Sequence, residues 1–257
     1  MGNHIKEFWD NQAKTHKEHH IASWGDNFAI DLEIETIGQH ISQGDKVLDV
    51  GCANGFATIE QLETRKPKHI TGIDFSEHMI EYALKEKSRR ELNDEIHFEV
   101  GDITNIKFED GIFDVVYTTR VVINLPTWQQ QIKGIEECLR VTKKGGKVIL
   151  SEGFWEPLIL LNSMRSLVNL PPLYEHDFNR YLKKTRLEAL LKEKELEYSC
   201  NDFSSIYYLG SRLLRELVTD VNNYEGYSNP INEIFHGIEK KFSGGGFGIQ
   251  QAYIISK

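Results

Sequence analysis

Three aspartates that end or follow predicted β-strands are the residues with the clearest chemical meaning in this sequence. Asp49 lies at the end of a short apolar run, and Asp74 and Asp102 end the next two runs along the chain. Parallel strands present their carboxyl ends at one edge of an open sheet, which is where ligands of such sheets bind. Three carboxylates in register at that edge therefore predict a ligand site.

A glycine-containing turn joins the first of these strands to a helix. The strand over residues 46–50 is mainly apolar and is expected to be buried on both sides of a sheet. Gly51 and Gly55 bound the turn, while Ala53 takes the place of the middle glycine in a dinucleotide fingerprint. Asp49 would repel a pyrophosphate but suits a ligand that contains an ammonium group. The corner therefore favours a nucleotide-type ligand with a cationic part.

The composition limits the class of protein. The chain has 257 residues, 40% of them hydrophobic, and 30 basic against 39 acidic side chains give a net charge of −9. A chain this acidic binds phosphate backbones poorly, so we expect no nucleic-acid partner. The three cysteines lack metal-binding spacing, which favours a reduced, cytoplasmic location. Neither a signal peptide nor an apolar run of membrane-spanning length is expected.

Three histidines near the N-terminus have the spacing of one helix face. His16, His19 and His20 stand at i, i+3 and i+4, which could bind a metal ion. No fourth ligand is suggested nearby. We therefore interpret them as a solvated or cleft-lining face and expect no metal site.

Two segments resemble a known family. Residues 49–55 (DVGCANG) closely resemble motif I (D-x-G-x-G-x-G) of the class I S-adenosylmethionine (SAM)-dependent methyltransferases, with Ala53 in place of one glycine. Residues 139–146 (LRVTKKGG) resemble the L-R-x-L-K-P-G-G segment of that family, with Lys144 where proline is usual. The resemblance extends over roughly residues 40–153.

The resemblance implies a fold and a division of the chain. The implied α/β fold is a doubly wound, seven-stranded, mostly parallel sheet whose last strand is antiparallel, with helical cap insertions. Residues 1–43 would form an N-terminal helical lid and residues 44–257 the SAM-binding domain. The cap insertions are expected at about 153–182 and 210–247, which would together form one cap. Within the second half, residues 198–209 are predicted to form a strand.

The resemblance also implies roles for individual residues in binding SAM. Asp74 would accept both ribose hydroxyl protons, Asp102 would accept from the adenine amino group, and the backbone N–H of Ile103 would bind the ring. The complete set of expected cofactor-binding residues is Trp24, Asp49, Gly51, Cys52, Ala53, Asp74, Phe75, Met79, Gly101, Asp102, Ile103, Thr119 and Arg120.

The implied chemistry is in-line displacement at the methyl group by an O, N or C nucleophile, and an O or N nucleophile is favoured. Alignment supplies much of the rate, and a general base is needed only where the nucleophile holds a proton. The candidate catalytic residues are His176, Tyr174 and Arg120, with His176 favoured as the base.

The expected acceptor is a small anionic metabolite that is phosphate-, sugar- or nucleotide-linked. This hypothesis rests on Arg120, Arg165, Arg180 and Arg212, and it fails if these arginines lie far from the cofactor. The oligomeric state is left open between monomer and homodimer.

Other classes of protein remain as alternatives. An NAD(P)-dependent oxidoreductase shares the sheet and the acid at Asp74, but Ala53 and Asp49 disfavour it. A non-catalytic partner subunit would keep the core and lose the pocket, and the three intact acids disfavour that alternative. An aminopropyl transferase would need a further acidic cluster near the fourth strand, and none is found.

Overall fold

A single seven-stranded sheet organises the chain. The computed structural model describes residues 9–12, 15, 25–92, 94–220 and 227–257. The strands lie in the order β3-β2-β1-β4-β5-β7-β6. Strands β1 to β5 pair in parallel, and β7 pairs antiparallel with both β5 and β6. The predicted fold class is confirmed. The strands are β1 (Lys46–Val50), β2 (His69–Asp74), β3 (Ile96–Val100), β4 (Phe113–Thr119), β5 (Thr142–Gly153), β6 (Glu197–Asn201) and β7 (Gln250–Ser256).

Helices cover both faces of this sheet. Neighbouring strand residues point to opposite faces, so Val47 belongs to one buried cluster and Leu48 to the other. Ile59 of α2 packs on the first face and Ile135 of α4 on the second. The helices are α1 (Asn27–Gly38), α2 (Phe56–Arg65), α3 (Glu77–Arg89), α4 (Trp128–Val141), α5 (Trp155–Leu167), α6 (Lys184–Glu193), α7 (Ser205–Leu209), α8 (Arg215–Val218) and α9 (Ile231–Glu239), with a 3₁₀ turn at Val122–Asn124 and a π-helix at Gly210–Leu214.

Local sequence signals account for several of these boundaries. Ser76 accepts a hydrogen bond from the backbone N–H of Met79 at 3.3 Å and begins α3. Thr127 accepts from the N–H of Gln130 at 3.3 Å and begins α4. Both caps satisfy N–H groups that the first helical turn leaves unpaired, and both are residue types favoured at that position.

The segment after β6 differs from the prediction. Residues 198–209 were expected to form one strand, but β6 ends at Asn201 and α7 begins at Ser205. The backbone N–H of Tyr208 donates to the carbonyl of Ser204, which is a helical bond. Aromatic residues favour strands only where a pleated surface receives them. Here the hydroxyl of Tyr207 reaches the buried side chain of Asp26, so tertiary packing overrides the local preference.

The two predicted insertions are in contact with each other. Buried Arg165 on α5 donates to the carboxylate of Glu216 on α8 and to the backbone carbonyl of Arg212 in the π-helix. This contact links the helix after β5 to the helices between β6 and β7. The domain boundaries themselves stay a prediction. Among the described ranges, no helix combines the length and the apolar character needed to cross a bilayer.

We predict that Gly51→Ala destabilises the protein strongly. Gly51 has a φ of +84°, and a Cβ atom there would lie 1.9 Å from Cγ2 of Val121. Overpacking and the left-handed backbone together should cost about 2–4 kcal/mol in the free energy of unfolding, measured by urea denaturation. The matched control is Gly237→Ala on the exposed face of α9, where an added Cβ meets no atom within 4 Å. This control should stabilise by about 0.5–1 kcal/mol, and equal stability of both variants would contradict the account.

Candidate functional site

A cavity lies at the carboxyl ends of β1, β2 and β4, and we name it the strand-end cavity. The chain runs outward from β1 to β3 and then returns to β4 on the other side of β1, so this is the point where the strand order reverses. Such switch points open a crevice for ligands. The cavity is lined by Trp9, Ile30, Glu33, Asp49, Gly51, Cys52, Ala53, Asn54, Phe56, Ala57, Asp74, Phe75, Met79, Thr119, Arg120, Val121 and Asn124.

Asp49 is a buried carboxylate with one oxygen unused. Its Oδ2 accepts a hydrogen bond from the Thr58 hydroxyl at 2.6 Å. Its Oδ1 has no hydrogen-bond partner within the described part of the chain. Burial raises the pKa of Asp49 to about 7. An unpaired buried acceptor is costly, so this oxygen fits a cationic donor placed in the cavity.

Asp74 holds the glycine-containing turn. Its Oδ2 accepts from the N–H of Ala53 at 3.0 Å and its Oδ1 from the N–H of Ser76 at 2.9 Å. Burial raises the pKa of this carboxyl to about 6, although the backbone N–H donors oppose the shift. Each carboxylate oxygen has a second lone pair, so Asp74 can accept further hydrogen bonds from a ligand's hydroxyl groups.

Three predicted residues lie outside the walls of the strand-end cavity: Gly101, Asp102 and Ile103. Asp102 accepts from the backbone N–H and the hydroxyl of Thr104, both at 2.8 Å, which is a local turn. The Ile103 side chain is buried in the core. Their roles in binding a ligand stay predictions. Trp24, His16, His19 and His20 lie outside the described residues.

Cys52 lines the strand-end cavity but does not qualify as a nucleophile. Burial, together with nearby Asp49 and Asp74, raises the pKa of its thiol well above the ordinary value. A thiol needs a lowered pKa to react as thiolate. In the part of the chain that the structure describes, there is also no group of three or more residues able to hold a metal ion.

Glu33 and Arg120 form a buried ion pair on the wall of this cavity. Arg120 has a φ of +55°, and its Nη1 lies 2.5 Å from Oε2 of Glu33. The other oxygen of Glu33 accepts from the Ser151 hydroxyl at 2.5 Å and from the Gln250 side chain. Burial raises the pKa of Glu33, and the Arg120 charge opposes that shift. Sequence reasoning missed Glu33, although an acid on the apolar stripe that contains Ile30 was an available signal.

A second cavity of about 530 Å³ adjoins the first, and we name it the aromatic cavity. It is lined by Trp9, Gln12, Gly25, Arg120, Ile123, Asn124, Gly153, Leu158, Leu173, Tyr174, His176, Phe178, Asn179, Tyr181, Tyr208, Arg212, Tyr227, Ile249 and Gln250. The ring of His176 lies 4.2 Å from that of Phe178. Tyr174 is 80% exposed and therefore stands at the rim. The two cavities share Trp9, Arg120 and Asn124.

Trp9 is a wall residue that sequence reasoning did not select. It packs against buried Met79, as Ala53 and Tyr82 also do, and its ring meets Phe178 edge-on at 6.0 Å between centroids. The available signal was its apolar helical face. The sequence could not indicate that Trp9 lines the site, because that contact depends on tertiary structure.

The four arginines that suggested an anionic ligand have different positions. Arg120 and Arg212 line the aromatic cavity. Arg165 is buried and donates to Glu216 and to backbone carbonyls. Arg180 lines a separate surface groove, where it donates to the carbonyls of Asp177 and Asn179. Only two of the four therefore remain as candidates for contact with a ligand.

Comparison with known proteins identifies the family. A family model described as "Methyltransferase domain" matches residues 41–202. The chain is 27% identical over 228 residues to a ubiquinone biosynthesis O-methyltransferase of Coxiella burnetii, covering 86% of this chain and 89% of that protein. It is 31% identical over 168 residues to a demethylmenaquinone methyltransferase of Lactococcus lactis, covering 62% and 60%.

A solved structure agrees in fold. The geranyl diphosphate C-methyltransferase of Streptomyces coelicolor, in complex with S-adenosylhomocysteine, superposes with a TM-score of 0.58 at 15% identity, covering 88% of this chain and 77% of that chain. The family match extends over more than half of the sequence, and the fold, the strand-end cavity and the acid at Asp49 agree with it. The chain belongs to the class I SAM-dependent methyltransferases, and its cofactor is SAM.

Proposed function

We propose that this enzyme transfers the methyl group of SAM to an oxygen or nitrogen of a small molecule bound in the aromatic cavity. The observation that supports this proposal is that the two cavities share the walls Trp9, Arg120 and Asn124. One cavity would hold the cofactor and the other the acceptor, so that the reacting groups meet where the cavities join.

In this proposal, two aspartates hold the cofactor. The Oδ1 of Asp49, which has no hydrogen-bond partner in the described chain, accepts from the ammonium group of SAM. This bond removes the free-energy penalty of a buried, unpaired acceptor. Asp74, already fixed by two backbone N–H groups, accepts from the ribose hydroxyls. Both carboxylates are buried, so their attraction for a cationic cofactor is little screened by water.

The lining of the aromatic cavity supports an acceptor with a planar and largely apolar body. Aromatic rings from Trp9, Tyr181, Tyr208 and Tyr227 form much of the wall. Rings bind flat molecules by stacked or edge-to-face contact. Two relatives are named for the biosynthesis of ubiquinone and for demethylmenaquinone, which are quinone compounds with flat rings. We therefore favour a ring compound over a sugar-linked one.

The chain's own residues contribute alignment and a proton acceptor. Bound SAM supplies a methyl group that is already activated by its positive sulfur. Arg120, fixed by Glu33, lines both cavities where they meet. His176 lines the aromatic cavity and would take the proton of a hydroxyl acceptor as it attacks. Tyr174 and His176 are both exposed, and the imidazole is favoured because it is the stronger base of the two.

We predict that Asp74→Ala weakens binding of S-adenosylhomocysteine by at least about 10-fold, because a buried carboxylate that bonds the ribose is lost. Calorimetric titration of the purified protein measures this, with NADH as the negative control. Asp94→Ala, at an exposed acid away from the cavity, is the matched variant and should bind normally. Tight binding of NADH, or unchanged binding by Asp74→Ala, would contradict these assignments.

We also predict that affinity for S-adenosylhomocysteine falls as the pH is lowered from about 7.5 to 5. The ligand's ammonium needs an ionised Asp49, whose pKa in the ligand-free protein is raised to about 7. Below that pH the carboxyl is protonated, so binding must release a proton and weakens. Calorimetry at several pH values measures the slope, and Asp49→Asn should bind weakly and show a flatter dependence. An unchanged slope in this variant would count against Asp49 as the partner of the ammonium.

Finally, we predict that His176→Gln lowers kcat for a hydroxyl acceptor by about 100-fold at neutral pH, with little change in KM for SAM. Release of S-adenosylhomocysteine measures the rate. Because raising the pH ionises a phenolic acceptor, the deficit should shrink at high pH. Tyr174→Phe is the control and should keep near-normal kcat. A deficit independent of pH would indicate that His176 does not accept the proton.

A further inference from the structure

Two buried acids of the α1 segment each hold one arginine of the aromatic cavity. Asp26 caps the start of α1 and Glu33 lies seven residues later, about two helical turns away and therefore on the same side. Glu33 pairs with Arg120, which lines both cavities. Asp26 pairs with Arg212, which lines the aromatic cavity alone. The aromatic cavity thus has two fixed cations. Arg120 is shared with the strand-end cavity, and Arg212 lines the aromatic cavity only.

Arg212 is held rigidly beside the cavity. Its Nη2 donates to Oδ2 of Asp26, and its Nη1 donates to the hydroxyl of Ser211 at 2.7 Å. The guanidinium carbon lies 4.7 Å from the ring centroid of Tyr208 and 4.8 Å from that of Tyr227. Asp26 is itself fixed, because its Oδ1 accepts from the Tyr207 hydroxyl at 2.6 Å. A guanidinium fixed in this way loses little conformational entropy when it binds a ligand.

Arg165 shows what a purely structural arginine looks like in this protein. It is 2% exposed, and its nitrogens donate to Glu216, to the carbonyl of Pro171 and to the carbonyl of Arg212. Arg212 instead has five N–H donors, of which Asp26 and Ser211 use two and the Tyr207 hydroxyl contacts a further one. Its side chain keeps 11% of its surface exposed. Donors of Arg212 are therefore left for a molecule in the aromatic cavity.

The hydrogen-bond donors of the cavity lining indicate which group that molecule presents. The described lining of the aromatic cavity includes two arginines and no aspartate or glutamate, while the carboxylates that balance them, Glu33 and Asp26, lie behind the wall. The planar guanidinium matches the two oxygens of a carboxylate, and the tyrosine rings beside it suit the flat body of an aromatic acid.

We propose that Arg212 is the residue that recognises the acceptor, and that the acceptor is an aromatic or otherwise planar hydroxy acid. Its carboxylate pairs with Arg212, while its hydroxyl lies toward Arg120 and the cofactor. Asp26 and Arg165 act as positioning residues, the first on the guanidinium and the second on the backbone. This inference rests on the proposed function, since it assigns the acceptor of the same site.

The experiment compares an acid with its neutral ester. Protein saturated with S-adenosylhomocysteine is titrated calorimetrically with 6-hydroxy-2-naphthoate and with its methyl ester. The wild type should bind the acid about 10- to 100-fold more tightly, as expected for charged hydrogen bonds. Arg212→Gln should bind the two about equally. Arg186→Gln, at an exposed arginine outside the aromatic cavity, is the matched control and should keep the preference for the acid.

A double variant separates loss of recognition from loss of folding. Arg212→Gln leaves Asp26 buried without its cation, which can destabilise the fold, whereas Asp26→Asn with Arg212→Gln removes both charges together. The double variant should bind S-adenosylhomocysteine normally and show no preference for the acid.

The possible failures are distinguishable. Equal binding of acid and ester by the wild type, no binding of the acid, or a preference that survives loss of Arg212 would each overturn the proposal while leaving the methyltransferase intact. Failure of the wild type to bind S-adenosylhomocysteine would instead defeat the assignment of the cofactor cavity itself.

Discussion

The buried ion pair between Glu33 and Arg120 is the interaction on which the geometry of both cavities depends. Glu33 comes from α1, Arg120 follows β4, and the other partners of Glu33 are Ser151 on β5 and Gln250 on β7. One carboxylate therefore joins four separate segments of the chain. Removing either charge would leave the other buried and unpaired, which costs far more than the pair itself contributes.

The turn after β4 has a second anchor of the same kind. Buried Glu152 accepts from the Thr118 hydroxyl and from the backbone N–H groups of residues 121–123. Burial raises the pKa of Glu152 to about 7, and those donors oppose the shift. Together with Glu33 it fixes the segment that separates the two cavities. Because both acids bond this segment, a ligand in either cavity would meet a preformed wall.

The two cavities differ in charge, and the difference suits the chemistry proposed for them. The strand-end cavity includes Asp49, Asp74 and Glu33 with Arg120 as its one cation in the described lining. The aromatic cavity includes two arginines and no described acid. A cationic cofactor would be attracted to the carboxylates of the first cavity, and an acidic acceptor would meet the guanidinium donors of the second, whose charges Glu33 and Asp26 balance. Low-dielectric walls make such preferences stronger than they would be in water.

Much of the fold could be predicted from the sequence because it depends on neighbours along the chain. The apolar run of β1, the turn over residues 51–55, the caps at Ser76 and Thr127 and the resemblance to the methyltransferases all rest on local patterns. The same patterns place Asp49 and Asp74 at one edge of the sheet, and both line the strand-end cavity. Asp102 meets this local criterion as well, yet its side chain closes a turn with Thr104.

Only the tertiary structure decided which charged and aromatic side chains surround the site. Arg120 pairs with Glu33, which lies 87 residues away in the sequence. Arg212 pairs with Asp26, which lies 186 residues away. Trp9 lines both cavities, and the helix after β6 places the Tyr207 hydroxyl on buried Asp26. The sequence determined the sheet, the turn and the cofactor family, since periodicity and turn chemistry are local. The buried ion pairs depend on the tertiary structure, because the two residues of each pair are far apart in the sequence and come together only on folding.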